Sequence, residues 1–160
     1  MEVRRVRPDE WQALRDLRLR ALATDPDAFG DSLDAASARI DADWQRYADP
    51  PDGAAFVATT PDGFVGMAKG GTVDSRPGTA GVYGMWVAPE ARRSGVGAAL
   101  LDAVEAWARD AGYETIGLGV NTVNEPAIRL YAARGYADTG DRHRLRDDTD
   151  LVIQIMTRAF

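Results

Sequence analysis

The chain has 160 residues, is 45% apolar, carries a formal charge of −6 and contains no cysteine. A chain of this length buries about 68–70% of its unfolded surface, enough for one domain with a real core, expected to span residues 1–160. The missing cysteines exclude disulfides, thiolate metal sites and a Cys nucleophile, and a single histidine, His143, argues against a Ser–His–Asp triad or a His-built metal cluster.

The acidic balance argues against a nucleic-acid binder, which carries a basic face. It either favours cationic substrates or serves solubility alone. The N-terminus has no apolar leader, and no run approaches the ~20 apolar residues of a membrane span. A cytoplasmic location without membrane contact is the default expectation.

In chain order, Glu2–Arg7 alternates Val3 and Val6 with charge and reads as an edge strand. Pro8-Asp9-Glu10 suits the first turn of a helix. Trp11, Leu14, Leu17/Arg18, Ala21 and Leu22 continue that helix at helical spacing to about Ala23, and Thr24-Asp25-Pro26-Asp27 breaks it. A second helical stretch covers Leu33 to Tyr47, with Ala36, Ile40, Trp44 and Tyr47 on one side. Ala54–Thr60 and Phe64–Val73 are β-type runs joined by Pro61-Asp62-Gly63, and Ala80–Ala88 completes an antiparallel meander.

A helix from about Gly95 to Ala111 is expected to bury a stripe of Leu100/Leu101, Val104, Trp107/Ala108 and Ala111, with Gly112 as its stop. The strand Thr115–Val120, the helix Glu125–Arg134 and strands near Tyr136–Thr139 and Leu151–Thr157 follow. Arg142–Asp150 reads as a charged connection between the last two strands. The passage from Ala80 to Val120 is expected to be a parallel, right-handed crossover.

The informative stretch is residues 87–101, where a strand runs into a basic loop with two glycines and then a helix start. A helix's first turn leaves N–H groups without partners, and its dipole favours negative charge there. Gly95 and Gly97 carry no Cβ, so a diphosphate can approach the main chain, and Arg92 and Arg93 add positive charge. A dinucleotide fingerprint needs a third glycine where Leu100 stands. A Walker loop needs Gly-Lys-Ser/Thr, and the only lysine, Lys69, lies elsewhere.

Arg92, Gly95 and Gly97 match the Arg/Gln-x-x-Gly-x-Gly/Ala signature of the GCN5-related N-acetyltransferase (GNAT) family, which the stretch resembles. A second family signature follows a strand with an Asn at the next helix's start, a Tyr seven residues on and a Gly-aromatic stop. Asn124, Tyr131, Gly135 and Tyr136 match it in order and spacing. The two motifs together cover about a third of the chain.

The resemblance implies an α/β fold, a mixed, mostly antiparallel central sheet of six or seven strands flanked by helices. It implies acetyl-CoA as cosubstrate, no metal, and direct attack of a primary amine on the thioester without a covalent enzyme intermediate. Small molecules, protein N-termini and lysines are all acceptors within the family, a homodimer is an allowed state, and a non-catalytic acyl-CoA-binding module is the competing reading.

By the same resemblance, the cofactor site comprises Met85, Trp86, Val87, Arg92, Arg93, Ser94, Gly95, Val96, Gly97, Asn124 and Ala127. Backbone N–H groups near Met85, Trp86 and Val87 meet the acetyl carbonyl and pantetheine arm. Arg93 departs from the pattern, because many members place Gly there. Ser94 either donates a hydrogen bond or caps the helix.

Asn124, Ala127 and Tyr131 fall on one helix face. Tyr131, a phenol of pKa near ~10, is the candidate acid for the departing thiolate, unless it is only a core aromatic. Asn124 also suits a plain N-cap. Where some members carry a Glu base this chain has Gly81 and Gly119. Tyr83, Asp31, His143 or a water chain are the alternatives. Phe29–Leu33 and Arg142–Asp150 are expected to shape the acceptor pocket.

Overall fold

The edge strand β1 (Glu2–Arg5) is shorter than its alternation predicts, although the Val6 N–H still donates to Ala55 O at 2.8 Å. A 3₁₀ turn at Pro8–Glu10 leads into α1 (Trp11–Thr24), which buries Leu14, Leu17, Arg18, Ala21 and Leu22. Glu10 ties this entry to β1 through two hydrogen bonds from Arg4, at 2.7 and 2.9 Å.

The helical stretch expected over Leu33–Tyr47 divides into α2 (Leu33–Ser37) and α3 (Asp41–Ala48). Ile40 is therefore exposed rather than on the buried side. The break has a polar cause. Arg39 turns back to hold Asp31 at 2.8 and 2.9 Å, and the Ile40 N–H donates to the Asp43 carboxylate.

The meander follows as β2 (Ala54–Thr60), β3 (Gly63–Thr72) and β4 (Thr79–Val87). Then come α4 (Val96–Asp110), β5 (Thr115–Asn121), α5 (Glu125–Ala133), β6 (Ala137–Arg144) and β7 (Val152–Ala159). β6 runs five residues past the expected end, so His143 sits on a strand and not in a loop. Its residues are nearly all exposed, which erases the alternation that would announce a strand.

The computed structural model describes residues 1–160 and joins these strands in one sheet of order β1-β2-β3-β4-β5-β7-β6. All neighbours are antiparallel except β4 and β5, which the α4 crossover makes parallel. No helix is long and apolar enough to cross a membrane.

α4 docks on one face of the sheet, and glycines on β3 let it approach. A Cβ on Gly70 would lie 2.5 Å from the Trp107 ring, and one on Gly66 would lie 3.1 Å from Leu100 and Val96. α1 and α3 cover the opposite face, where Trp44 and Tyr47 meet edge to face at 5.7 Å.

Inside the apolar stripe of α4, Glu105 is buried and satisfied by three donors. Tyr136 Oη donates at 2.8 Å, Arg158 Nη1 at 3.0 Å and Arg134 Nη2 at 3.4 Å. This knot staples α4 to the end of α5 and to β7, and Arg134 also pairs with Asp102. Glu105→Ala leaves the Arg158 guanidinium and the Tyr136 phenol without their acceptor and leaves Arg134 only Asp102. It should lower stability by about 3 kcal/mol, read as a shift in the urea midpoint at unchanged slope; a loss under about 0.5 kcal/mol would show the knot to be ornamental.

Candidate active site

β4 and β5 pair only at Thr79↔Thr115, Ala80↔Ile116 and Gly81↔Gly117, and then part. Each strand stays attached to its outer neighbour. β3 follows β4 to Val87, and β7 follows β5 to Asn121. A wedge-shaped gap therefore opens through the sheet.

A bulge helps to open it. Tyr83 opposes Lys69 and Trp86 opposes Met67, so Gly84 and Met85 together face Ala68. Gly84 has φ +58°, and a Cβ there would lie 3.1 Å from Tyr47 Oη and 3.2 Å from Arg18 Nη1.

On the α4 side the gap opens into a cleft of about 1000 Å³. Its walls are Asp25–Ala28, the β4 end Met85–Val87, Arg92, Arg93 and the α5 face bearing Asn124, Ala127 and Tyr131. The Ala88 N–H donates to Val65 O, so alternation turns the Trp86 N–H towards β3 and the Val87 N–H towards the gap. Val87, not Trp86, offers the main-chain donor. The Trp86 side chain is core, as its alternation indicates, and its Nε1 donates to Asp25 at 2.7 Å.

The loop before α4 has two left-handed residues, Arg93 at φ +63° and Gly95 at φ +82°. Reversals of this kind turn successive N–H groups to one side, and Gly95 as N-cap adds the unpaired amides of Val96, Gly97 and Ala98. A Cβ on Gly97 would meet nothing closer than Val87 Cγ2 at 3.9 Å, so the approach to these amides is open. The Val96 side chain is buried and presents only its backbone. Open amides, a cleft of this size and a gap leading onward fit a long anionic cofactor such as coenzyme A.

Two neighbours serve the loop itself rather than the cleft. Arg92 is committed to the protein, donating to Val87 O at 2.9 Å and to Asp25 at 2.6 Å, so Asp25 offsets its charge. Hydrogen bonds from Trp86 and then Arg92, against the opposing effect of burial, hold the Asp25 carboxyl below its usual range. Ser94 donates to Ala91 O at 2.6 Å, which ties the loop and leaves the cap to Gly95. Arg93 is exposed, the outward projection its size requires.

Asn124 caps α5, its Oδ1 accepting from the Ala127 N–H at 3.3 Å, while its amide nitrogen stays free beside the cleft. Tyr131 is nearly buried, and burial alone pushes its phenol pKa up. Its ring packs edge to face on Tyr136 at 5.9 Å.

The gap itself is a passage of about 170 Å³ past Tyr131, Met85 and Leu118. Beyond it, on the α1 side, lies a second cavity of about 410 Å³. Phe29, Gly30, His143 and Leu145 wall it, as expected for the flanking segments. Arg146 ties those segments together by donating to Pro26 O at 2.8 Å and Phe29 O at 2.5 Å.

No carboxylate replaces the missing base. The Tyr83 ring folds over Gly81, 2.6 Å from where a Cβ would be, and Ile153 Cγ2 would lie 2.8 Å from a Cβ on Gly119. A larger residue at either position would have to displace these side chains. Tyr83 Oη donates to Thr72 O at 2.7 Å. Burial acts to raise the Asp31 pKa, but hydrogen bonds from Arg39, the Ser32 N–H and Arg18 hold it low, so Asp31 is a poor base. His143 lines the second cavity from β6.

The partners of Asp25, Arg18 and Arg146 are not legible in the sequence. Asp25 reads only as part of a helix break, Arg18 only as a position on the helix's core-spaced stripe, and Arg146 only as part of a charged connection. The partners that give each its place are distant along the chain.

The bulge makes a direct prediction. Gly84→Ala puts a Cβ into the left-handed region against Tyr47 and Arg18, and should destabilise by at least about 1–2 kcal/mol. A thermal melt checks this, and an unchanged transition would mean that the bulge tolerates a side chain.

A family model described as the acetyltransferase (GNAT) family matches residues 11–136. Mycothiol acetyltransferase of Nocardiopsis dassonvillei is 37% identical over 145 residues, covering 83% of this chain and 42% of that protein. Aminoglycoside N(6')-acetyltransferase type 1 of Stenotrophomonas maltophilia is 36% identical over 97 residues, 55% of this chain and 62% of that one. The chain thus spans about two fifths and three fifths of the lengths of these relatives. The solved ribosomal-protein-alanine N-acetyltransferase from Brucella melitensis is similar in fold, with a TM-score of 0.78 at 19% identity and 100% coverage of both chains. With the family model spanning the diverging strands, the α4 start and the α5 face, the chain belongs to the acetyltransferase (GNAT) family.

Proposed function

We propose that this chain moves an acetyl group from acetyl-CoA to a primary amine of a small molecule, by direct attack within the β4–β5 gap. The observation that carries the reading is the continuous path from cleft to passage to second cavity, with Tyr131 at its narrowest part. GNAT enzymes use acetyl-CoA, which supplies an activated thioester and a thiolate leaving group.

In this reading the amides of Gly95–Ala98 hold the diphosphate, with Arg93 as the free cation beside them. Ser94 and Arg92 shape the loop without touching the anion. The Val87 N–H and the Asn124 amide orient the pantetheine arm, and Met85 and Ala127 pack along it. Tyr131 holds a proton at its Oη for the sulfur; burial keeps that phenol protonated through neutral and mildly alkaline pH. With no carboxylate on Gly81 or Gly119, the amine's proton leaves through water in the second cavity. Desolvation among Phe29, Val82 and Leu145 favours the neutral, nucleophilic amine.

The walled cavity of about 410 Å³ supports a small acceptor over a polypeptide segment. The names of the mycothiol and aminoglycoside acetyltransferases point the same way for those relatives. The ribosomal-protein-alanine N-acetyltransferase contributes only its fold to the comparison.

Tyr131→Phe should lower kcat by about 100-fold while acetyl-CoA affinity stays within about twofold. Stopped-flow thiol release and calorimetry measure the two, and an unchanged kcat removes Tyr131 from the chemistry. If no amine in a broad panel releases thiol although CoA binds, the chain is a binding module instead. Gly97→Trp fills the approach to the α4 amides and should weaken CoA binding by at least about tenfold. Equal affinity in both proteins would place the diphosphate elsewhere.

A further inference from the structure

The second cavity is walled by apolar groups and contains one buried cation. Arg18, 8% exposed, lines it from α1. Its guanidinium lies 4.5 Å from the centre of the Phe29 ring and 5.8 Å from that of Tyr47. One nitrogen, Nη2, donates to Asp31 at 3.1 Å; Nε and Nη1 are buried and have no partner. Arginine cannot shed its proton to escape this position, and buried donors are ordinarily satisfied.

Charge is unbalanced in the same place. Asp31 is the one carboxylate paired with Arg18, and it already serves Arg39 at 2.8 and 2.9 Å. Lys69, beside Tyr47 and outside the cavity, feels the same charge: burial first, then Arg18 and Arg39, push its pKa down. No carboxylate lines the cavity. The acidity of the whole chain is thus not reflected in this cavity, whose lining holds a guanidinium and no carboxylate.

Position narrows the ligand further. Arg18 Nη1 lies against Gly84, the bulge residue shared by the cavity and the passage. An anion seated on it sits within a few atoms of the point where the attacking amine must enter the gap. Phe29, Val82, Leu145, Ile153 and Ile155 remain for an apolar body.

We propose that Arg18 is the specificity determinant of the acceptor cavity and that the acceptor is a primary amine bearing a carboxylate close to the amino group on an apolar body, an apolar α-amino acid being the simplest case. The inference rests on the acetyl-transfer reading above.

The test compares matched acceptors: leucine, its decarboxylated amine 3-methylbutylamine, leucinamide, and the phosphonate analogue of leucine. In the wild type, leucine should exceed the amine and the amide in kcat/KM by at least about 100-fold. In Arg18→Met that ratio should fall to within about threefold, with Arg18→Lys in between and CoA binding as the folding control. Equal rates with and without the carboxylate, or a ratio unmoved in Arg18→Met, overturn the proposal. A phosphonate preferred by more than about tenfold overturns it too, in favour of a tetrahedral anion.

If no acceptor releases thiol, acetyl transfer itself has failed, and equilibrium binding of isovalerate still decides the anion seat. Binding to the wild type that is lost in Arg18→Met upholds the seat. Absence of binding to either overturns it.

Discussion

The architecture turns on a parallel pairing that stops after three residue pairs. Hydrogen bonding between β4 and β5 holds as far as Gly81 and Gly117, and the bulge at Gly84 and Met85 then swings β4 aside. A sheet otherwise has no room for a ligand, because its main-chain donors are spent on neighbouring strands. Here the interruption releases the Val87 amide and creates a passage between the two faces. The loss is confined, since β3 and β7 still pair the outer edges of the diverging strands. Two cavities on opposite faces can then meet at one point, the requirement for a reaction between two bound molecules.

The electrostatics divide along the same line. The cleft on the α4 side has free backbone amides at the helix start and one uncommitted cation, Arg93, since Asp25 offsets Arg92. The cavity on the α1 side is lined by one buried guanidinium, Arg18, which shares Asp31 with Arg39 behind it. Neither follows from the net charge of −6, which is a property of the exposed surface. The missing base has a steric reason: Tyr83 and Ile153 occupy the space that side chains at 81 and 119 would need.

Much of this was legible in the residues. Strand limits from Ala54 to Val120 fall within a residue or two of the pattern, because apolar runs bounded by Pro and Gly leave little choice. The glycine loop and the Asn124–Tyr131 spacing mark the cleft, because anion binding by a helix start depends on local backbone geometry. The helix break at Ala38–Ile40 and the strand at His143 were not legible. Arg39 makes the first by a polar contact, and the exposed edge strand β6 carries no alternation.

What the sequence by itself determined is therefore the order of elements, the family and the cofactor-side motif, all of which depend on spacings within a dozen residues. Tertiary structure alone decided which charges are spent and which remain available. Arg92 and Arg18 look alike in the chain, yet Asp25 offsets one while the other keeps two buried nitrogens without partners. The physical reason is that burial and pairing are set by residues brought together across the fold, as Arg18, Phe29, Tyr47 and Gly84 are beside the second cavity.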